Sequence, residues 1–187
     1  MELVQAVRQR RSTAPVGEDA PTDDQLRNYL SIAAHSPDHA GLRPWRLVTL
    51  RGEQRRQLGQ AMAIGFGDQT GTPQAERTAS KTLRAPLLLG IVGVLSEHPK
   101  VPEWEQIAAT AALITTLQLV LFDDGWTAMW RSGPAVDLVQ VHRVMGLQPG
   151  EKLLGWLYVG SRDPRTQPSA RDLVDPDVRS KLTTLPE

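Results

Sequence analysis

Cysteine is absent from all 187 residues. That single absence excludes disulfides, thiolate nucleophiles, zinc fingers and cysteine-held iron–sulfur clusters. Charge of one sign is missing too. Lys plus Arg number 21 and Asp plus Glu number 21, so no global field draws nucleic acid or an acidic membrane to the surface. Long apolar runs are also lacking. The longest uncharged stretch, Ile107 to Phe122, is studded with Thr and Gln and is expected to fall short of the roughly 20 apolar residues a membrane span requires. The opening MELVQAVRQRR carries no apolar segment of the secretion-signal type. With no cysteine and no such segment, the expected location is the cytoplasm.

Several catalytic signatures are missing as well. There is no G-x-x-x-x-G-K-[ST] phosphate loop, no H-E-x-x-H and no G-x-S-x-G elbow, which removes the usual support for kinase and hydrolase readings. The segment GFGDQTG at 65 to 71 has the spacing G-x-G-x-x-x-G and follows a helical pattern instead of a strand, unlike a dinucleotide-binding turn. His35 and His39 are four apart, as two metal ligands on one helix face would be, but Pro37 lies between them and argues against that helix.

What is present is an ordinary globular composition, 40% hydrophobic and 22% charged, at a size suited to one core. Leu3, Val4 and Val7 recur at helical spacing before Arg8, Arg10 and Arg11, a short helix with cations at the end that suits its dipole. Thr22 with Gln25 is a capping-box pattern that opens a second helix, which Pro37 closes. Trp45 to Leu50 reads as a strand, Gly52 to about Ile64 as a helix, and Gly65 to Thr72 as loop. The run PLLLGIVGVL from Pro86 is apolar without alternation, which predicts a strand buried on both faces at the sheet centre. Trp104 to Phe122 predicts a core helix that stops at Gly125. A strand at Ala128 to Trp130, a helix at Val136 to Met145 and a strand at Leu153 to Val159 complete an α+β pattern with a mixed sheet. A single domain over residues 1 to 160 follows. Beyond it, residues 161 to 187 are rich in Pro, Arg and Asp and cannot hold a core of their own.

Four segments carry candidate chemistry. Arg10, Arg11 and Ser12 form either an exposed basic helix end or a phosphate site of guanidinium forks and a hydroxyl. The loop SPDHAGLRPW, Ser36 to Trp45, gathers Asp38, His39 and Arg43 before a strand, a common place for a ligand or for structural hydrogen bonds. Trp130, Arg131, Ser132 and Gly133 stand at a strand end, where a glycine is either a plain turn or lets backbone amides approach a flat ligand. In KVPEWEQ, 100 to 106, Glu103 and Glu105 suit a helix N-terminus; beside a cofactor, Trp104 would wall an aromatic substrate.

Taken in order, QRRST at 9 to 13, APTDDQL at 20 to 26, SPDH and RPW within the 36 to 45 loop, RAPLLL at 84 to 89, KVPEWEQ at 100 to 106, GWTAMWRSG at 125 to 133 and KLLGWLYVG at 152 to 160 resemble the FMN-dependent NAD(P)H nitroreductase family, most closely its short bacterial members. The resemblance covers about residues 1 to 160. It implies an α+β core of mixed sheet surrounded by helices, an intertwined homodimer with FMN at the interface, and a tail, 161 to 187, reaching over the partner subunit. It assigns Arg10, Arg11 and Ser12 to the ribityl-phosphate and Arg131, Ser132 and Gly133 to the isoalloxazine ring. His39 and His35 are the contribution to the site of the other subunit, and Arg165 is a further phosphate contact by position. Two departures stand out: Arg43 where the family loop usually has Gln before Pro-Trp, and His35 where other short members can carry a longer basic residue.

The activity implied is passage of a hydride from NADH or NADPH through FMN to a nitroaromatic, quinone or similar electron-poor small molecule in a ping-pong cycle. No acid, base or nucleophile from the protein is required, because the cofactor supplies the redox chemistry. The alternatives are a non-catalytic FMN-binding protein for storage or sensing, and an interaction protein that has lost FMN. Neither a nucleic acid nor a membrane is an expected partner.

Overall fold

The structure, a computed structural model, describes residues 2–164, 176 and 178–185. Its sheet is built from β1 (Trp45–Leu50), β2 (Leu87–Val94), β3 (Trp126–Arg131) and β4 (Glu151–Ser161), in the order β1-β2-β4-β3. All three pairings are antiparallel. The α+β class stands, but the expected mixed sheet is antiparallel throughout the described residues. Strand polarity here is decided by the long connections, which apolar patterning leaves open.

β2 lies inside the sheet, and Leu87 to Gly93 are all buried, which is why this run shows no alternation. Successive side chains face opposite layers. Leu87, Leu89 and Ile91, with Leu157 and Val159 of β4, pack against α2 (Asp23–Ala33) and α5 (Glu103–Asp123). Leu88 and Val92, with Trp156 and Tyr158, pack against α3 (Gly52–Gly65) and α6 (Val139–Met145). Each fully buried leucine contributes about 2 kcal/mol by leaving water. The sheet therefore separates two helical layers, and a residue's layer decides which pocket it can reach.

The capping box of α2 is formed as its sequence requires. The Thr22 amide donates to Gln25 Oε1 at 2.8 Å and the Gln25 amide to Thr22 Oγ1 at 3.3 Å. α1 (Leu3–Gln9) ends two residues earlier than the basic pattern suggests, leaving Arg10 and Arg11 beyond its last turn. α4 (Pro73–Ser80), capped by Thr72, follows the expected loop and was not legible in the sequence. The single helix expected over Val136 to Met145 is a 3₁₀ turn, Pro134–Asp137, followed by α6. α5 is 21 residues long and, among the described residues, is the one helix long and apolar enough by composition to cross a membrane. Its uncharged stretch, Ile107 to Phe122, stays short of the roughly 20 apolar residues of a span. Its Leu113, Ile114, Leu117 and Leu121 are buried against the sheet, so the same apolarity serves a core helix.

Two polar ties fix the frame. The Arg46 guanidinium on β1 donates twice to the Glu151 carboxylate, both at 2.6 Å. With the Gln148 amide, this holds the Glu151 carboxyl below its ordinary range and raises the Arg46 guanidinium. At the other end, the Tyr29 hydroxyl bonds the Asp124 carboxylate, and the Trp126 indole N–H donates to the Tyr29 oxygen at 3.1 Å. α2 is thus clamped to the turn that launches β3.

Candidate functional site

β3 is an outer strand, and pockets lie near both its ends. Near its start, Arg11 joins Phe122, Thr127, Arg162 and Asp163 around a cavity of about 350 Å³. The Arg162 guanidinium stacks on the Phe122 ring, 4.6 Å from its centre. At its end, Arg131, Ser132 and Gly133 line a cleft of about 180 Å³ with Phe66, Lys81 and Trp156. Thr127 and Arg131 are four positions apart, roughly 13 Å along a strand.

The cleft is shaped by a bulge. β4 loses register between the partners of Ile91 and Val92, leaving Leu154 as the extra residue, and the freed Leu154 carbonyl accepts from the Trp130 indole N–H at 3.0 Å. Gly155 has φ of 120°, and a Cβ there would overlap the Arg131 carbonyl oxygen. Only glycine permits both the backbone angle and the approach. The bulge thereby seats the last residues of β3 and aims the chain into Ser132 and Gly133. Those two residues are exposed, and their amide N–H groups make no turn or loop hydrogen bond among the described residues. Gly133 has φ of 138° with open space where a Cβ would stand, so its backbone is accessible to a flat ligand.

Arg10 buries its Nη1 without a hydrogen-bond partner, and desolvation, together with the neighbouring Arg11, lowers its pKa. Arg11 instead donates to the Arg10 carbonyl at 2.8 Å, and Ser12 is exposed. In the cleft, the Arg131 guanidinium lies 5.5 Å from the centre of the Tyr158 ring. Burial raises the Tyr158 hydroxyl pKa, while Arg131 and Arg84 pull it back.

The histidine loop is elsewhere. His39 bonds the Glu105 carboxylate at 2.7 Å and therefore stands beside the first turn of α5, in the layer opposite the cleft. His35 is exposed at the end of α2 in that same layer, and Trp104, 67% exposed, is next to Glu105. The loop is held taut. Ser36 Oγ bonds Thr116 Oγ1 at 2.7 Å, the Arg43 amide donates to Asp38 Oδ2 at 2.6 Å, and Ala40 and Arg43 both adopt positive φ, 63° and 47°. Such strain persists where the surroundings over-determine it, often at ligand clamps.

Of the residues singled out from sequence, the structure brings Arg131, Ser132 and Gly133 into one cleft and places Arg11 on a second cavity. His35 and His39 meet neither within one chain, and Arg165 lies outside the described residues. Lys81, Trp156 and Tyr158 were not singled out, although the bulky pair in GWLYVG and the cations Lys81 and Arg84 ahead of the buried strand were visible.

The family model described as the nitroreductase family matches residues 7–161. Escherichia coli K12 "Putative NAD(P)H nitroreductase YdjA" is 30% identical over 166 residues, covering 86% of this chain and 88% of that protein. A nitroreductase-like family protein from Bacillus cereus superposes with a TM-score of 0.84 at 22% identity, over 99% of this chain and 96% of the other. A Bacteroides fragilis nitroreductase with bound FMN gives a TM-score of 0.74 at 19% identity over 100% of both chains. The FMN-dependent nitroreductase NfnB of Mycobacterium smegmatis, in complex with NADPH, gives 0.71 at 17% identity, over 98% of this chain and 97% of the other. At these identities the solved structures speak to the fold.

Proposed function

The chain belongs to the nitroreductase family, and from that premise we propose that it is an FMN-dependent oxidoreductase passing a hydride from NADH or NADPH to a nitroaromatic, quinone or similar electron-poor acceptor by a ping-pong cycle. The observation that carries this reading is the cleft at Arg131, Ser132 and Gly133, whose walls offer unbonded amide donors, cations and aromatic surface. The fit to a flavin mononucleotide is supported by Arg10, a half-buried cation whose Nη1 is buried without a partner, which a phosphate dianion would satisfy.

FMN, when bound, supplies the two-electron transfer between donor and acceptor. Arg10, Arg11 and Ser12 bind its phosphate end. The amides of Ser132 and Gly133 orient the ring by donating to it, and preorganised donors of this kind stabilise charge that develops during reduction. Lys81 and Arg131, both lining the cleft, supply positive charge on the same side. The bulge at Gly155 keeps Arg131 in register, and Trp156 closes the cleft against the core.

His35 and His39, in the opposite layer, belong in this reading to the site of a second copy, which makes the working unit a homodimer with FMN at the interface. The outer edge of β1 is open among the described residues. The first residues of the tail, Ser161 to Asp163, pack on their own chain, and the tail beyond them, Arg165 included, is proposed to reach over the partner subunit. The test is the visible spectrum of purified protein reconstituted with FMN and freed of excess, before and after anaerobic NADPH and then NADH. Retained flavin bands that bleach, and recover when a nitroaromatic or quinone is added, are the expected result. Bound flavin that stays oxidised with both nucleotides overturns the reductase reading, and no retained flavin overturns the site.

A further inference from the structure

The chain has four methionines, and the fold treats those among the described residues unequally. Met62 and Met145 are buried in the layer of α3 and α6, whereas Met129 is only half-buried on β3, the last strand of the sheet. Successive side chains of β3 face opposite layers. Ala128 joins the core shared with α2 and α5, so Thr127, Met129 and Arg131 share the other face. Thr127 lines the cavity that holds Arg11, and Arg131 lines the cleft of Ser132 and Gly133. Met129 therefore stands on the strip of β3 between the two. Its sulfur is also tied to a cation: Arg131 Nε donates to Met129 Sδ at 3.0 Å. Met129 is directly opposite Tyr158 across the β3–β4 pair, and the Arg131 guanidinium lies 5.5 Å from the centre of the Tyr158 ring. Sulfur, guanidinium and phenol thus form one cluster at the edge of the cleft.

Resting on the reading of that cleft as the flavin-ring site, we propose that Met129 is an oxidation site for hydrogen peroxide, and that its sulfoxide draws Arg131 out of the cleft and weakens FMN binding. A sulfur lone pair attacks one peroxide oxygen, the O–O bond breaks and an S–O bond forms. The displaced hydroxide takes the proton left on the transferred oxygen and departs as water, so sulfur loses two electrons and the peroxide gains them. A thioether is a weak acceptor, and it holds the Arg131 N–H lightly. The sulfoxide converts an apolar side chain into a polar one, with an oxygen within reach of that same N–H and a much stronger claim on it. The guanidinium is then held at β3 instead of being free to serve a ligand in the cleft.

The test takes the flavin-free full chain, treats it with hydrogen peroxide, removes the peroxide and maps the peptides by mass. Met129 is expected to gain one oxygen about tenfold faster than Met62 or Met145, because access governs such oxidation. In concentrated urea the three rates converge. Equal rates in the folded protein, or a slower Met129, overturn the oxidation site. FMN titration of the oxidised protein is expected to show binding about tenfold weaker, the scale of one charge-assisted hydrogen bond, and methionine sulfoxide reductases with dithiothreitol restore it. The oxidised protein keeps a cooperative thermal transition, which separates a moved arginine from an unfolded chain; loss of that transition overturns the switch. M129L, which keeps the volume and removes the sulfur, is expected to bind FMN as the parent does and to lose nothing on peroxide treatment. Unchanged FMN affinity after full oxidation of Met129, or the same loss in M129L, overturns the switch. If the untreated parent retains no flavin, the functional reading fails and the flavin-linked effect with it, while the peptide map of the same protein still decides the oxidation site.

Discussion

Arg10 illustrates how a single residue can work against the resting fold. Its Nη1 is buried without a partner and its pKa is depressed by desolvation and by Arg11, so the folded chain holds a charge that its surroundings disfavour. Replacing Arg10 with Met removes that charge and keeps the stem's apolar contacts. The flavin-free protein is expected to melt at the same temperature or higher, while FMN affinity falls tenfold or more, since charge-assisted hydrogen bonds are worth about 1.5–3 kcal/mol. Paired thermal melts and flavin titrations check this; a variant that loses stability and keeps its FMN affinity would assign Arg10 to the frame. At this scale sequence reasoning named Arg10, Arg131, Ser132 and Gly133 because clustered cations and a strand-end glycine leave a local mark. It passed over Lys81 because a lysine that precedes a buried strand looks like any solvated residue until the fold shows what it faces.

Among elements, β4 matters most, because its bulge sets where β3 ends. Gly155 sits where a Cβ would overlap the Arg131 carbonyl, and its φ of 120° is strained for any other residue. Gly155→Ala is expected to cost about 2–3 kcal/mol, read from urea unfolding. It should also weaken FMN retention, because Arg131 to Gly133 are seated by the same bulge. An alanine variant with parental stability and parental flavin content would show that the bulge is not needed. The central strand, the capping box and the core helix were legible from periodicity and capping chemistry. The bulge was not, since a glycine inside an apolar strand signals either a bulge or a close approach, and here it serves both. α4 was missed because its eight residues, PQAERTAS, have little apolar periodicity to distinguish them from loop.

For the whole molecule, the sheet keeps the histidine loop and the Arg131 cleft in opposite layers, so one chain does not complete the proposed site. Two copies do, if each supplies the partner with His35 and His39. Coexpression of an Arg10→Ala/Arg11→Ala chain with a differently tagged His35→Ala/His39→Ala chain then generates a heterodimer with one undamaged site. Doubly tagged protein is expected to hold about half the parental flavin, whereas either variant alone holds little. No recovery in the heterodimer would place both sets of residues in one chain's site. The family resemblance, resting on ordered short segments, anticipated the fold. The antiparallel course of the sheet it did not anticipate, since strand direction depends on where long connections return.

Sequence alone determined the absence of thiol chemistry, the element pattern around a strand buried on both faces, the family, and the residues with chemistry to offer. These are properties of composition and short-range spacing, which are written along the chain. Tertiary structure decided which of those residues share a cleft, that Arg10 buries an Nη1 with no hydrogen-bond partner, that Lys81 and Arg131 border one cleft and make no ion pair among the described residues, and that His39 meets Glu105 across the sheet from the cleft. Those are distances between segments far apart in the chain, and they are set by packing two helical layers against opposite faces of one sheet.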